Sequence, residues 1–330
     1  MSSTSLTTGR TWRPHLPRRH VPVLATLVLL LVTYGIGVSQ YRAFSNIQVV
    51  FNVFIDNGFL LVVAVGMTFV ILTGGIDLSV GSVVAMTAMV SAALLQDGLP
   101  PALVLVIALL IGPALGFLMG CAIHVFDIQP FIVTLAGMFF ARGICTFISD
   151  ASIPITDGFW TTMSQARIGN PAGNFVSISV LVAFAVVLVA AYVLAYTRFG
   201  RNVYAIGGNA QSALLMGLPV GRTRIAVYTV SGLCSAVGGI LLSFYTLSGA
   251  PLIAVGMELD VIAAVVIGGA VLTGGSGYVF GTVLGVLVLG VIQTLITFDG
   301  SLNSWWTKIV IGGLLFAFIL LQRLIGIRFT

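Results

Sequence analysis

An apolar run at 62–72 ends in Thr73-Gly74-Gly75-Ile76-Asp77-Leu78-Ser79, and a second apolar run starts at once with Val80. Two lipid-compatible segments with so short a link must turn back on each other as a membrane hairpin, because only internally paired backbone persists in hydrocarbon. Gly74 and Gly75 permit the tight turn. Asp77 and Ser79 stand just ahead of the second run, where short polar side chains accept hydrogen bonds from the unpaired N–H groups of a helix's first turn. The pattern returns late in the chain: Leu72-Thr73-Gly74-Gly75 with Gly81-Ser82-Val83 is echoed by Leu272-Thr273-Gly274-Gly275 with Gly281-Thr282-Val283. Gly74, Gly75, Gly274 and Gly275 are the expected hinges of two hairpins at the middle of a transport protein. Whether they form a true repeat or a convergence within a glycine-rich chain stays open.

Ten apolar runs can be drawn, at 21–38, 49–72, 80–95, 102–125, 131–148, 177–196, 225–247, 261–272, 279–296 and 305–321. A span needs about 20 apolar residues, and several of these are shorter. With 58% hydrophobic and 7% charged residues, no single water-soluble core can take up the apolar surface. The expected fold class is an all-α polytopic membrane protein of about ten transmembrane helices, several short or broken. The first run has a basic front but is long and lacks an Ala-x-Ala site, so it reads as a membrane helix and not as a cleaved signal.

The net charge of +5 suggests nucleic acid only until the basic residues are placed. With the N-terminus inside, Arg10, Arg13, Arg18, Arg19, Arg198, Arg201, Arg222, Arg224, Arg323 and Arg328 all face the cytoplasm, against Arg42, Arg167 and Lys308 outside and Arg142 within a span. The positive-inside rule therefore sets the orientation, with both termini cytoplasmic. The expected layout is a basic arm at 1–20, a transmembrane domain at 21–325 with an inner loop at 198–224 and an outer loop at 149–175, and a tail at 326–330. In this orientation the two hairpins run in the same direction, so any repeat is parallel.

Gly112, Gly116 and Gly120 recur every four residues, as do Gly277, Gly281 and Gly285, giving smooth helix faces for close neighbours. The run at 261–272 is too short to cross, and Gly268, Gly269, Gly274 and Gly275 interrupt it. Such broken segments point to a substrate path, where freed backbone groups face a cavity. No phosphate-cradling G-x-x-x-x-G-K-[ST] is present, no histidine has a metal partner at ligand spacing, and Cys121, Cys145 and Cys234 read as small buried hydrophobes. Catalysis in this polypeptide is not expected. Asp56 either lines a polar path or sits at the outer interface; Arg142 either snorkels or pairs with an acid. An ion-driven carrier needs more buried ionisable groups than these, so an external energy source is expected; a secondary carrier for a small polar solute is the rival.

The inner loop supplies a place for that source to act. After Gly207-Gly208, Asn209 can cap a short helix from Ala210 to Met216, which contains Ala213, Leu214 and Leu215, with Gly217 as a left-handed stop and Pro219 beyond. Exposed apolar residues there suit a groove on a cytoplasmic protein, the membrane surface being the alternative. The outer loop 149–175 is long enough to meet a soluble partner or to be a plain connection.

Four blocks in order resemble the permease subunits of ribose-type sugar ABC importers: residues 70–82 (VILTGGIDLSVGS), 134–138 (TLAGM), 200–217, and 265–269 with 272–275. The likeness runs over about 49–321. It is nearest to permeases of bacterial galactofuranose importers, through Ser152-Ile153-Pro154-Ile155, residues 135–140 with Arg142-Gly143, and Phe298-Asp299-Gly300-Ser301-Leu302 with Ser304-Trp305-Trp306-Thr307-Lys308. The resemblance implies a fold similar to type II ABC importers, a bacterial inner membrane location, a cytoplasmic ATPase subunit that carries ATP and magnesium, a second and different permease, and a periplasmic sugar-binding protein. It makes Gly207 to Gly217 the ATPase coupling region and leaves this chain without a cofactor or metal of its own. Candidate path residues for a sugar are Asn57, Met67, Phe69, Thr73, Asp77, Phe131, Thr134 and Met138, each of which can equally be packing.

Overall fold

The computed structural model describes residues 21–169, 173–300 and 304–327. The expected arm at 1–20, most of the tail, and Ser301 and Leu302 of the outer motif lie outside the described residues. Every apolar run becomes a helix. In chain order these are α1 (Val21–Gln40), α2 (Ile47–Leu72), α3 (Val80–Gln96), α4 (Pro101–Val125), α5 (Pro130–Ile148), α6 (Gly158–Gln165), α7 (Ile178–Tyr196), α8 (Arg198–Gly208), α9 (Ala210–Leu215), α10 (Val220–Thr246), α11 (Met257–Ile267), α12 (Val279–Asp299) and α13 (Ser304–Ile327). Among the described residues, seven helices are long and apolar enough to cross a membrane. The chain is an all-α polytopic membrane protein.

The loop 198–224 is more ordered than expected. Arg198 to Gly208 is helical, and α10 starts at Val220 rather than near 225, which puts Arg222 and Arg224 in its first turns. Tyr204 of α8 donates to the Gly277 carbonyl at 2.9 Å. Burial, aided by Tyr278, holds its phenol above the usual value, so it stays a neutral donor.

The core is built around α2 and α10. From Leu60 to Leu72 every α2 residue is buried, as expected of a helix apolar on all sides. α10 packs against α4, α2 and α3. The four-residue glycine spacing of α4 explains the first contact. A Cβ on Gly112 would strike the Gly232 carbonyl, one on Gly116 the Tyr228 carbonyl, and one on Gly120 the Ile225 Cα. The second glycine series does the same between α11 and α12, where Gly281 faces the Gly268 carbonyl and Gly285 the Ala264 carbonyl.

One expectation fails. α2 and α3 scarcely touch, so the first pair is no closed hairpin. α10 lies between them: a Cβ on Gly238 would meet Val63 of α2 and Val84 of α3. The short link fixes only how far apart the two helix ends are, and a third helix with a small-residue face fills the gap. The second pair, α11 and α12, does close. The carbonyl freed where α11 ends, that of Ile267, accepts from the Thr26 hydroxyl of α1 and so does not face a cavity.

The described part of the loop 149–175 folds back on the helices. β1 (Ile153–Pro154) pairs antiparallel with β4 (Ser248–Gly249), and β2 (Arg167–Gly169) pairs with β3 (Phe175–Ser177). Asp157 caps α6 by accepting from Phe159 and Trp160 N–H. Trp160 is fully buried and donates to Ser243 Oγ of α10 at 2.9 Å. Arg142 neither snorkels nor finds an acid. Its guanidinium donates to the carbonyls of Pro251 at 2.6 Å and Ile253 at 2.9 Å, tying α5 to the turn before α11.

Candidate functional site

The two Thr-Gly-Gly turns meet. Gly275 N–H donates to the Leu72 carbonyl at 2.9 Å, joining the end of α2 to the link between α11 and α12. Gly74, Gly274 and Gly275 all take positive φ, at 76°, 89° and 76°, a region glycine enters without penalty. Gly207 of α8 closes the junction from the third side. A Cβ there would run into both the Leu72 carbonyl oxygen and the Gly275 nitrogen, whereas one on Gly208 would meet nothing within 4 Å. Three segments far apart in sequence therefore touch backbone to backbone.

α9 hangs directly from this junction. Asn209 Oδ1 accepts from Ser212 N–H at 2.8 Å, Gly217 has φ 78°, and Ala213 is wholly buried beside Ile206 and Val220. The adjoining Leu214, Leu215 and Met216 are 62%, 84% and 69% exposed. One small residue anchors the helix while three large apolar ones point away from the chain.

Asp77 is buried and fully occupied. Oδ1 accepts from Ser79 N–H at 2.9 Å and Ser79 Oγ at 2.6 Å, and Oδ2 accepts from Ser231 Oγ of α10 at 2.7 Å. The carboxylate thus fastens the link 73–79 to α10. Ser79 itself makes no side-chain cap bond to α3.

The other path candidates are scattered. Met67 and Phe69 are 0% and 3% exposed in the core and line none of the cavities described here. Phe131 lies exposed on α5, Met138 is half-buried, and Thr134 is buried with its hydroxyl bonded to the Pro130 carbonyl at 2.9 Å. Thr73, Gly74 and Gly75 line a cavity of about 360 Å³ beside the end of α2, with Asp127, Arg224 and Tyr228.

Asn57 belongs to a different cavity, also about 360 Å³, between the other ends of α2, α10 and α12. Asn52, Asp56 and Tyr245 line it, together with Gln293, Thr294 and Thr297. Tyr245 donates to Asp56 Oδ1 at 3.1 Å. The polar face of α12 was missed in sequence. Gly290, Gln293, Thr294 and Thr297 follow the three- and four-residue spacing of one helix face, and that was the available signal. Asp56 stands nine residues past Ile47, about 13 Å along α2 at about 1.5 Å per residue, so it is not at the helix end.

Residues 49–319 match the family described as branched-chain amino acid transport system / permease component. The chain is 48% identical over 307 residues to the inner membrane ABC transporter permease protein YjfF of Escherichia coli K12, covering 93% of each chain. It is 42% identical over 315 residues to the fructose import permease protein FruG of Bifidobacterium longum, covering 93% of this chain and 92% of the relative. To the ribose import permease protein RbsC of E. coli K12 it is 36% identical over 288 residues, covering 86% and 88%. No solved structure matches significantly.

Proposed function

The chain belongs to the branched-chain amino acid transport system / permease component family, and from that premise we propose that it is the membrane-spanning subunit of an ATP-driven importer that moves a monosaccharide inward. The observation that carries the coupling is α9: three exposed apolar side chains on a helix whose preceding residues abut both Thr-Gly-Gly turns. Such a knob fits a groove on a cytoplasmic ATPase, where ATP and magnesium reside. A second, different permease and an external sugar-binding protein complete the assembly. Closure of the ATPases presses on α9, α8 carries the displacement to Gly207, and the turns at 73–75 and 273–275 shift together and open the inner cavity. The sugar is galactofuranose or a related pentose or hexose, a reading supported by the motifs at 152–155 and 298–308. The orientation is N-terminus inside, supported by the distribution of arginines.

The test is reconstitution. Vesicles holding this chain, its partner permease and the ATPase should take up sugar only with ATP inside and binding protein outside. Galactofuranose should compete better than the six-membered ring form of galactose. Accumulation by this chain alone on an ion gradient would overturn the importer reading. Replacing both Leu215→Asp and Met216→Asp should abolish co-purification of the ATPase, and unchanged association would remove α9 from that role.

A further inference from the structure

Resting on the importer reading and its orientation, we propose that the cleft between the outer halves of α2, α10 and α12 is a way-station that binds one neutral polyhydroxylated ring before it passes inward. The cleft is open on one side, where Asn52, Asp56, Tyr245, Gln293 and Thr297 are exposed. Its volume of about 360 Å³ lies at the lower end of the range of about 300–1,000 Å³ for small-molecule sites, where a single sugar ring belongs.

The lining chemistry selects the ligand class. Asp56 is its one carboxylate, and Tyr245 already donates to Oδ1. Its second oxygen, Oδ2, is a further acceptor that a hydroxyl can use. Asn52 and Gln293 each bring an amide, and Thr294 and Thr297 bring hydroxyls that donate to their own helix but keep lone pairs free. Phe59 lies beside Tyr245, ring centroids 6.2 Å apart, and offers an apolar wall for the carbon face of a ring. Mixed donors and acceptors with one hydrogen-bonded acid match a neutral polyol. A metal ion is a poor fit, because among the described residues no group of three or more metal-ligating side chains forms. Weak, distributed hydrogen bonds also suit a transport path, which must release what it accepts.

The cleft has a second door. Asn57 and Gln293 also line a smaller cavity of about 140 Å³ on the far side, bounded by Asp260, Thr307 and Lys308. The two amides stand as a partition between the cavities. Gly290 makes room for it, since a Cβ there would come within 2.7 Å of Asn57 Nδ2.

The experiment uses the complete complex in intact cells, with Asn52→Cys or Thr297→Cys in this chain and the unmodified chain as background. A membrane-impermeant maleimide added outside should label both positions. Excess D-ribose, D-fructose, D-allose or D-galactose should slow labelling severalfold for at least one sugar, and choline should not. Absent labelling, labelling indifferent to every sugar, or slowing by choline alone would each overturn the proposal. As a second measurement, Gln293→Leu should raise the KM for uptake about tenfold, the loss of one hydrogen bond to the ring. An unchanged KM would also overturn it. The importer reading is judged separately, by ATP dependence of uptake in the unmodified complex: ATP-driven uptake with unprotected cysteines sinks only the way-station.

Discussion

Adjacent glycines at the end of α8 give a paired test of the three-way junction. Alanine is the better helix residue by about 0.5–1 kcal/mol at either position. At Gly208 the new methyl meets nothing within 4 Å, so Gly208→Ala should be neutral or stabilising by about that amount. At Gly207 the same methyl is driven into the Leu72 carbonyl and the Gly275 N–H, which are bonded to each other. Backbone on both sides cannot rotate away. Overpacking costs about 1–3 kcal/mol, and prising apart the Leu72–Gly275 bond adds roughly 0.5–1.5 kcal/mol. The two variants should therefore differ by about 2–4 kcal/mol. At roughly 2 °C per kcal/mol for a long chain, that is a gap on the order of 5 °C in melting temperature. Thermal unfolding of the detergent-purified complex, followed by fluorescence of a thiol-reactive dye on the buried cysteines, reads it. If Gly207→Ala melts with Gly208→Ala, the junction is not tight and the route from α9 to the hairpin turns is wrong.

Ser231→Ala removes the one donor to Asp77 Oδ2 among the described residues and should destabilise by about 1–3 kcal/mol. Ser235→Ala, whose hydroxyl only bonds back to its own helix, should be near neutral in the same melt. Trp160→Ala should cost about 3–5 kcal/mol, and Trp160→Phe much less, since it loses mainly the bond to Ser243; equal losses would mean the outer loop is not anchored there. Because burial raises the Tyr204 phenol, its folded value exceeds its unfolded one. Its contribution is complete below about pH 10 and is lost as pH rises through the folded value. Tyr204→Phe should flatten that alkaline decline in stability, measured as melting temperature against pH.

Local grammar was readable and spatial neighbourhood was not. α9 could be drawn to within a residue because its signals lie side by side: Asn209 to cap, Gly217 to stop, Pro219 beyond. The ten helices followed from apolar runs alone. The glycine series on α4 announced a close neighbour without naming α10, since any small-residue face would serve. The first hairpin was expected closed because the link 73–79 is short, and the helix that stands between its arms lies far downstream. Met67 and Phe69 were assigned to a path because α2 is apolar on every side and periodicity gives such a helix no preferred direction. Arg142 was expected to find an acid or lipid headgroups; main-chain carbonyls at 251 and 253 leave no trace in sequence. Asp56 was noticed, but the cleft around it needs α10 and α12, contributed from residues far downstream.

The insertion of α10 between α2 and α3 sets an order of events during synthesis. α10 is completed about 150 residues after α3 ends, a delay on the order of 10 s at about 5–20 residues per second. Until then the faces bearing Gly66 and Thr87, which α10 covers in the finished protein, have to wait without that partner. The nascent chain must hold its first helices loosely apart, and a premature embrace between α2 and α3 would have to be undone before the last third of the protein finds its place.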